Sequence, residues 1–303
     1  MSLIINVPRG IDRIMTAAQR RVRMVFFGTP SFAVSSLRRL YADGWPVALV
    51  VTAPDKPTGR RRDLTPSPVR TAATEYGIAV ETPATLKDEY FWRLFSELRP
   101  DVCIVAAYGK LIPERLLEIP RLGFLNVHPS LLPLYRGPSP IQTAILDGAT
   151  TTGVSIMLLD KEMDHGPIVA QEPWTIPSGF DARACEAELA GLGAALLSRT
   201  LPGYADGTIV PRPQDHSLAT FTHKFTREDG RLVFSRPARD VYNRIRALAV
   251  NPGAWTVVDG ATLNILSAHI EDDKVVADIV QREGGKPMDW ATFVRGHPTA
   301  ALQ

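Results

Sequence analysis

A chain of 303 residues that is 45% hydrophobic has the apolar material for a large core, and its length suggests about two domains. With 22% charged residues and a formal net charge of only +2, it is no basic tail, so nucleic-acid contacts must come from local patches. The 2 cysteines, Cys103 and Cys185, lie in apolar segments, which argues against a disulfide framework or a Cys-based metal site and suits a reducing, cytoplasmic compartment.

Met1 to Arg23 mixes the short apolar run Leu3–Val7 with Arg9, Arg13, Arg20, Arg21 and Arg23. That run is too short for a signal-peptide core of about 7–15 residues, and 1–23 is read as a disordered leader. No stretch approaches the roughly 18 apolar residues of a membrane span, so a soluble protein with no membrane partner is expected. From Met24 the hydrophobic pattern alternates between strands and helices. Met24–Phe27 reads as a buried strand ending in Gly28-Thr29-Pro30, and helical spacing follows at Phe32, Ala33, Leu37 and Leu40 with Gly44 as a stop. Val47–Val51 is the next strand. Ser67-Pro68 opens a helix that Gly77 closes, with Ser as the cap and Pro at the first helical position. Then come a short strand at Ile78–Val80, a helix at Lys87–Leu98, a strand at Val102–Ala107, a short helix at Pro113–Ile119 and a strand at Gly123–Val127. Such repeated units predict an α/β, Rossmann-like, doubly wound and mostly parallel sheet, whose ligands bind beyond the carboxyl ends of the strands.

Beyond a helical Ser139–Leu146 the pattern changes. Val154–Leu159 and Ile168–Gln171 read as paired strands joined by Asp160–Pro167, and a long helix runs from Ala182 to about Leu201. Asp206–Asp215, with Gly207, Pro211 and Pro213, reads as a linker. A helix at Ala238–Val250 precedes short alternating strands at Gly253–Val258, Leu263–Ile270 and Lys274–Val280, separated by Asp259-Gly260 and Asp272-Asp273 turns. The expected layout is a catalytic domain over 24–205, a linker over 206–222 and a small β-rich domain over 223–303.

The chemistry concentrates after the strand at Gly123–Val127. Asn126 and His128 stand at alternate positions, so a strand points both the same way. A donor amide beside a titratable ring suits polarising and protonating a carbonyl; a strand end with a satisfied histidine is the plain alternative. The acidic, glycine-containing loop Asp160-Lys161-Glu162-Met163-Asp164-His165-Gly166-Pro167 offers a carboxylate that completes an acid–base set if it folds toward them. No second His or Cys stands at ligand spacing from His165, so no metal is expected. Gly28-Thr29-Pro30 offers an anion cradle at a helix start, but without a full Gly-x-Gly-x-x-Gly a nucleotide cofactor is disfavoured. Lys56, Arg60, Arg61, Arg62 and Arg70 surround a Pro/Gly loop opposed only by Asp55 and Asp63, a pattern suited to nucleic-acid phosphates or simply to a solvated charged loop.

These residues, with Val25–Val34, Asp55-Lys56-Pro57-Thr58-Gly59-Arg60, Leu64–Val69, Ala107-Tyr108-Gly109-Lys110-Leu111-Ile112-Pro113 and the block from Asn126 to Gln142, resemble the methionyl-tRNA formyltransferase family of 10-formyltetrahydrofolate-dependent transformylases. The resemblance runs from Met24 to about Gly260. It implies that Asn126 hydrogen-bonds the formyl oxygen of 10-formyltetrahydrofolate, that His128 stabilises the tetrahedral intermediate, and that Asp164 orients His128 and receives the proton of the attacking amine through water. It also implies folate binding at Ser130, Leu131, Leu132 and Pro133, with a pterin-side wall at Tyr108, Gly109, Lys110, Leu111 and Ile112. Initiator Met-tRNA is the implied partner of a monomeric enzyme, met by Lys56, Arg60, Arg61, Arg62 and Arg136 and by an OB-fold-like C-terminal domain.

The chain departs from the family at Leu134, usually Arg, and at Glu162 and His165, usually Gly and Thr. Between Ile270 and Gly285 there is room for only one hairpin, so a shortened or open barrel is expected ahead of Gly285-Lys286-Pro287-Met288 and Phe293-Val294-Arg295-Gly296-His297. Two other activities fit the Asn–His–Asp set: formyl transfer to the amine of a sugar nucleotide, and hydrolysis of formyltetrahydrofolate. The Leu64–Val69 segment favours the tRNA acceptor.

Overall fold

A computed structural model describes residues 22–58 and 63–297. Residues 1–21 of the leader expected over 1–23, and the arginines at 60–62, therefore lie outside the described residues, while Val22 is buried and the Arg23 N–H donates to Asp101. Contacts divide the chain into two units, one of 1–134, 153–173 and 188–219, the other of 135–152, 174–187 and 220–303.

The first unit is built on a seven-stranded sheet. Its elements begin with β1 (Met24–Gly28), α1 (Ser31–Ala42), β2 (Val47–Val51), β3 (Lys56–Thr58), β4 (Asp63–Thr65), α2 (Pro68–Glu75), β5 (Val80–Glu81) and α3 (Glu89–Leu98). They continue with β6 (Val102–Ala106), α4 (Glu114–Leu117), β7 (Phe124–His128) and, after α5 (Pro140–Leu146), with β8 (Thr151–Leu158), β9 (Ile168–Thr175) and α6 (Ala182–Ala205). The strand order is β5-β2-β1-β6-β7-β8-β9, with β5 through β7 parallel and β8 antiparallel to β7. The order of winding reverses between the parallel strands β1 and β6, the kind of switch point beyond whose carboxyl ends such sheets bind ligands.

Alternation along the strands sorts the core. Val25 and Phe27 of β1, Val51 of β2, Cys103 and Val105 of β6 and Phe124 of β7 share one buried cluster with Phe91 and Phe95 of α3. Phe27 is its hub, with ring centroids 5.5 Å from Phe124 and 6.0 Å from Phe95. The opposite face carries Val127, which α6 approaches so closely that a Cβ at Gly193 would stand 2.7 Å from its Cγ1. As expected, Ser67 caps α2, its Oγ accepting from the Arg70 N–H at 3.0 Å behind Pro68.

Three segments differ from their sequence reading. Lys56–Thr58 and Asp63–Thr65, expected within a loop, pair as a two-stranded ribbon of β3 and β4. The long helix does not stop near Leu201 but runs through Pro202 to Ala205. Pro202 forfeits one backbone donor, and the buried Leu201 and Tyr204 hold the last turn down, with the Tyr204 hydroxyl donating to Leu122 O at 2.7 Å. Finally, 206–215 is tied into the first unit: Arg212 and Ile168 exchange both backbone hydrogen bonds, at 2.8 and 2.7 Å.

The second unit holds α5, α7 (Ala238–Leu248), an antiparallel sheet of β10 (Trp255–Val258), β11 (Ala261–Glu271), β12 (Lys274–Arg282) and β13 (Met288–Asp289), and α8 (Trp290–Gly296). Its strand order is simply β10-β11-β12-β13, so β10 and β13 are edges among the described residues and the sheet is open. Asp259-Gly260 and Asp272-Asp273 all have positive φ, the backbone that two-residue hairpins of right-twisted strands require. Val241, Ile245, Leu263, Ile265, Val280 and Phe293 form the core beneath.

Candidate active site

β7 is an interior strand, and pairing on both sides fixes which way its side chains point. Val105 opposes Asn126 on one side; Met157 and Ser155 oppose Asn126 and His128 on the other. Asn126, half-buried, makes no side-chain hydrogen bond among the described residues, so its amide is available as a donor. His128 is 4% exposed, and its Nδ1 lies 3.7 Å from Oδ2 of Asp164. The loop expected to fold over thus brings its carboxylate to the ring. Asp164 holds φ +49°, a left-handed backbone that Asp tolerates better than most residues.

Two contacts of Asp160 knit that loop from within. Oδ1 of Asp160 accepts from the Glu162 N–H at 2.9 Å, and Oδ2 of Asp160 pairs with Nδ1 of His165 at 2.7 Å. His165 also stacks on His216 at 4.0 Å. The loop returns tightly, because a Cβ at Gly166 would stand 2.1 Å from Leu158 O. Glu162 and His165, two of the three residues that depart from the family, therefore sit in the loop's own turn.

The Ser130–Pro133 segment is held from behind. Ser155 Oγ donates to Ser130 O at 2.7 Å and accepts from the Leu132 N–H at 3.1 Å and from Gln171 Nε2 at 2.9 Å. Gln171 Nε2 also donates to Leu132 O at 2.8 Å. The Ser130 hydroxyl donates to Leu134 O at 2.6 Å, and Leu132 packs on Met157 and Ile168. Leu131 is half-buried beside Gly153, and Pro133 is half-buried after a cis bond.

The segment expected as a pterin-side wall, Tyr108–Ile112, divides between core and surface. The Tyr108 ring packs edge-on to Phe27 at 5.4 Å, inside the core. Its hydroxyl is buried with no hydrogen-bond partner among the described residues, and burial pushes its pKa up to about 12. Gly109 turns the chain with φ +79°, Lys110 Nζ donates to Pro83 O and Ala84 O at 2.7 and 2.9 Å, Leu111 is 84% exposed, and Ile112 packs against the core. Burial and then the nearby Lys56 lower the Lys110 pKa. Tyr108→Phe should remove an unpaired buried hydroxyl and stabilise the fold by about 1 kcal/mol. The unfolded phenol ionises near pH 10 and the folded one near 12, so wild-type stability falls as pH rises through that window. Melting curves between pH 9 and 11 check whether the Phe variant loses that alkaline slope.

The basic residues separate. Lys56 is exposed on the β3–β4 ribbon, whereas Arg70 pairs with Asp55 at 2.5 Å. Arg136 departs most from its expected role. It is 3% exposed, its Cζ lies 5.9 Å over the Phe221 ring, and its backbone bonds Thr220 and Thr222, so its guanidinium does not stand in solvent for a phosphate. The Gly28-Thr29-Pro30 turn is a matter of packing, since a Cβ at Gly28 would stand 2.7 Å from that of Ala33. Among the described residues no group of three or more His, Cys, Asp or Glu is placed to hold a metal, and no helix is long and apolar enough to cross a membrane.

Residues 21–201 match the formyl transferase family, and 224–278 match the formyl transferase C-terminal domain. A methionyl-tRNA formyltransferase of Chloroflexus aurantiacus is 47% identical over 271 residues, 88% of this chain and 87% of the relative. One from Syntrophus aciditrophicus is 38% identical over 301 residues, 91% of this chain and 96% of the relative. The chain belongs to the methionyl-tRNA formyltransferase family. Among solved structures, the methionyl-tRNA formyltransferase of Clostridium thermocellum superposes with a TM-score of 0.59 at 17% identity, covering 88% of this chain and 99% of that one. A Helicobacter canadensis N-formyltransferase, solved with folinic acid and dTDP-3-aminofucose, superposes with a TM-score of 0.65 at 16% identity, covering 88% and 98%. These two likenesses establish the shared fold.

Sequence reasoning missed Ser155, Gln171 and Gln214. All three are neutral polar residues in strand or linker patterns, and only their tertiary hydrogen bonds reveal them.

Proposed function

We propose that this protein transfers the formyl group of 10-formyltetrahydrofolate to the α-amino group of initiator methionyl-tRNA. The observation that carries the reading is Asn126 and His128 on one face of β7 with the Asp164 carboxylate 3.7 Å from the ring, in a chain of this family. An amide and an imidazole beside a carboxylate fit a carbonyl that gains negative charge as an amine attacks it. Asn126 donates to the formyl oxygen. His128 stabilises the same oxygen and moves a proton. Asp164 orients the ring and takes, through water, the proton that the amine loses. The new N–C bond forms at the amine, the bond from carbon to N10 breaks, and N10 leaves protonated as tetrahydrofolate.

Ser130–Pro133 and Tyr108–Ile112 hold the donor, with Leu111 as the solvent-facing apolar side chain of the second segment. Lys56 and the arginines at 60–62 meet tRNA phosphates, with the C-terminal unit as a second tRNA contact; Arg136, being buried, is left out of the set. The protein acts as a metal-independent monomer in the cytoplasm.

The test offers purified protein 10-formyltetrahydrofolate with Met-tRNA, with an amino-sugar nucleotide, or with neither. Formylmethionyl-tRNA is the expected product. Sugar turnover without a tRNA product would overturn the acceptor, and formate release that ignores any acceptor would indicate hydrolysis. Unchanged turnover in EDTA checks the metal, and gel filtration the monomer. Lys56→Ala should raise KM for Met-tRNA several-fold, leave kcat nearly unchanged and flatten the salt dependence.

A further inference from the structure

Asp164 must be presented from a loop, and a loop holds a carboxylate only as well as its backbone is tied. Two ties within 160–167 run through Asp160, and the loop's outer anchor lies about 50 residues on, in the segment read as a linker. The Gln214 side chain is 6% exposed, and its Nε2 donates to Asp164 O at 2.9 Å and to Gly166 O at 2.7 Å. One amide group thus spends both hydrogens on the two carbonyls that bracket His165. Two residues before it, Arg212 pairs with Ile168 by backbone; two residues after it, His216 stacks on His165. Three residues of 212–216, the last opening a short 3-10 turn, therefore grip the loop and its exit.

We infer that Gln214 is a positioning residue for formyl transfer: its amide fixes the left-handed turn at Asp164 and so sets where the carboxylate meets His128. The chemistry favours an amide over other side chains. A carboxylate at 214 would repel both carbonyls, a hydroxyl has one hydrogen to give, and an ammonium would bring an unpaired charge into a buried place. With the amide removed, a buried and a half-buried carbonyl lose this donor, and the loop relieves this by turning toward water. An error near 1 Å at a catalytic group costs on the order of 100-fold in rate.

The inference rests on the formyl-transfer reading, so the experiment has one arm that depends on turnover and one that does not. In the first, Gln214→Leu should lower kcat 10- to 100-fold with KM for the formyl donor and for Met-tRNA within two-fold. In an Asp164→Asn background the same change should cost less than two-fold, because the group being positioned is already disabled. Equal losses in both backgrounds, or a loss carried by KM, would overturn the role. In the second arm, amide hydrogen exchange at 160–167 should quicken at least ten-fold in Gln214→Leu, while β1 and β6 stay protected. Unchanged exchange sinks the proposal whether or not the protein forms formylmethionyl-tRNA. Should Gln214→Leu fail to fold, Gln214→Asn keeps the donor on a shorter arm that reaches one carbonyl. It should show an intermediate loss in kcat and an intermediate rise in exchange, and wild-type values for both would equally overturn the role.

Discussion

His128→Ala is expected to lower kcat for formyl transfer by about 100- to 1000-fold, corresponding to the roughly 3–4 kcal/mol that one oxyanion donor contributes. The ring is 4% exposed and faces one carboxylate, so its contribution is made where water does not screen it. Because the imidazole acts on an oxygen that becomes charged only during reaction, KM for either substrate should move by less than three-fold. Asn126→Ala should fall in the same range. The two losses should not add in the double variant, since both groups serve one oxygen. Steady-state kinetics at saturating formyl donor and Met-tRNA make the measurement. A wild-type kcat for His128→Ala would remove the ring from the mechanism.

Gly166→Ala is expected to cost about 3 kcal/mol of stability, the upper part of the usual overpacking range. The new Cβ would stand 2.1 Å from Leu158 O and 3.5 Å from Asp160 Oδ2, so relief requires moving backbone at the base of the loop. For a chain of this size that is a drop of about 6–12 °C in Tm. Turnover should fall as well, because Gly166 O is one of the two carbonyls tied to Gln214. Gly191→Ala is the matched control. It lies inside α6 with nothing within 4 Å of the added methyl, so the helix should gain up to about 1 kcal/mol there with activity unchanged. Paired thermal melts decide the contrast.

Where side-chain periodicity is dictated by a sheet, the sequence was readable. Val47–Val51 and the Ser67-Pro68 helix start are found where pattern and capping chemistry put them, and Asn126 and His128 share a face because alternation allows nothing else. Errors arose where a local signal competed with a distant contact. Pro202 is a fair helix stop in isolation, but Leu201 and Tyr204 are buried and carry the helix past it. Pro and Gly in 206–215 signal a linker, yet backbone pairing with Ile168 binds that stretch to the sheet. Arg136 has the composition of a phosphate contact, and only the Thr220–Thr222 backbone against it shows why it is buried. Tyr108 and Ser155 illustrate the same limit, for nothing in a neighbouring residue reveals that one hydroxyl is unpaired and the other is shared by three groups.

The placing of Asn126 and His128 on an interior strand has a consequence for how such a site changes over generations. Their direction has only two settings, since a one-residue slip of β7 would exchange them for Leu125 and Val127. Variation in the sheet therefore either leaves the pair intact or abolishes it, with no graded path between. Asp164, held through a turn and a borrowed amide, has a continuous range of positions. Selection for a faster or slower enzyme has its purchase there, in 160–167 and 212–216, and the departures at Glu162 and His165 lie within that adjustable part.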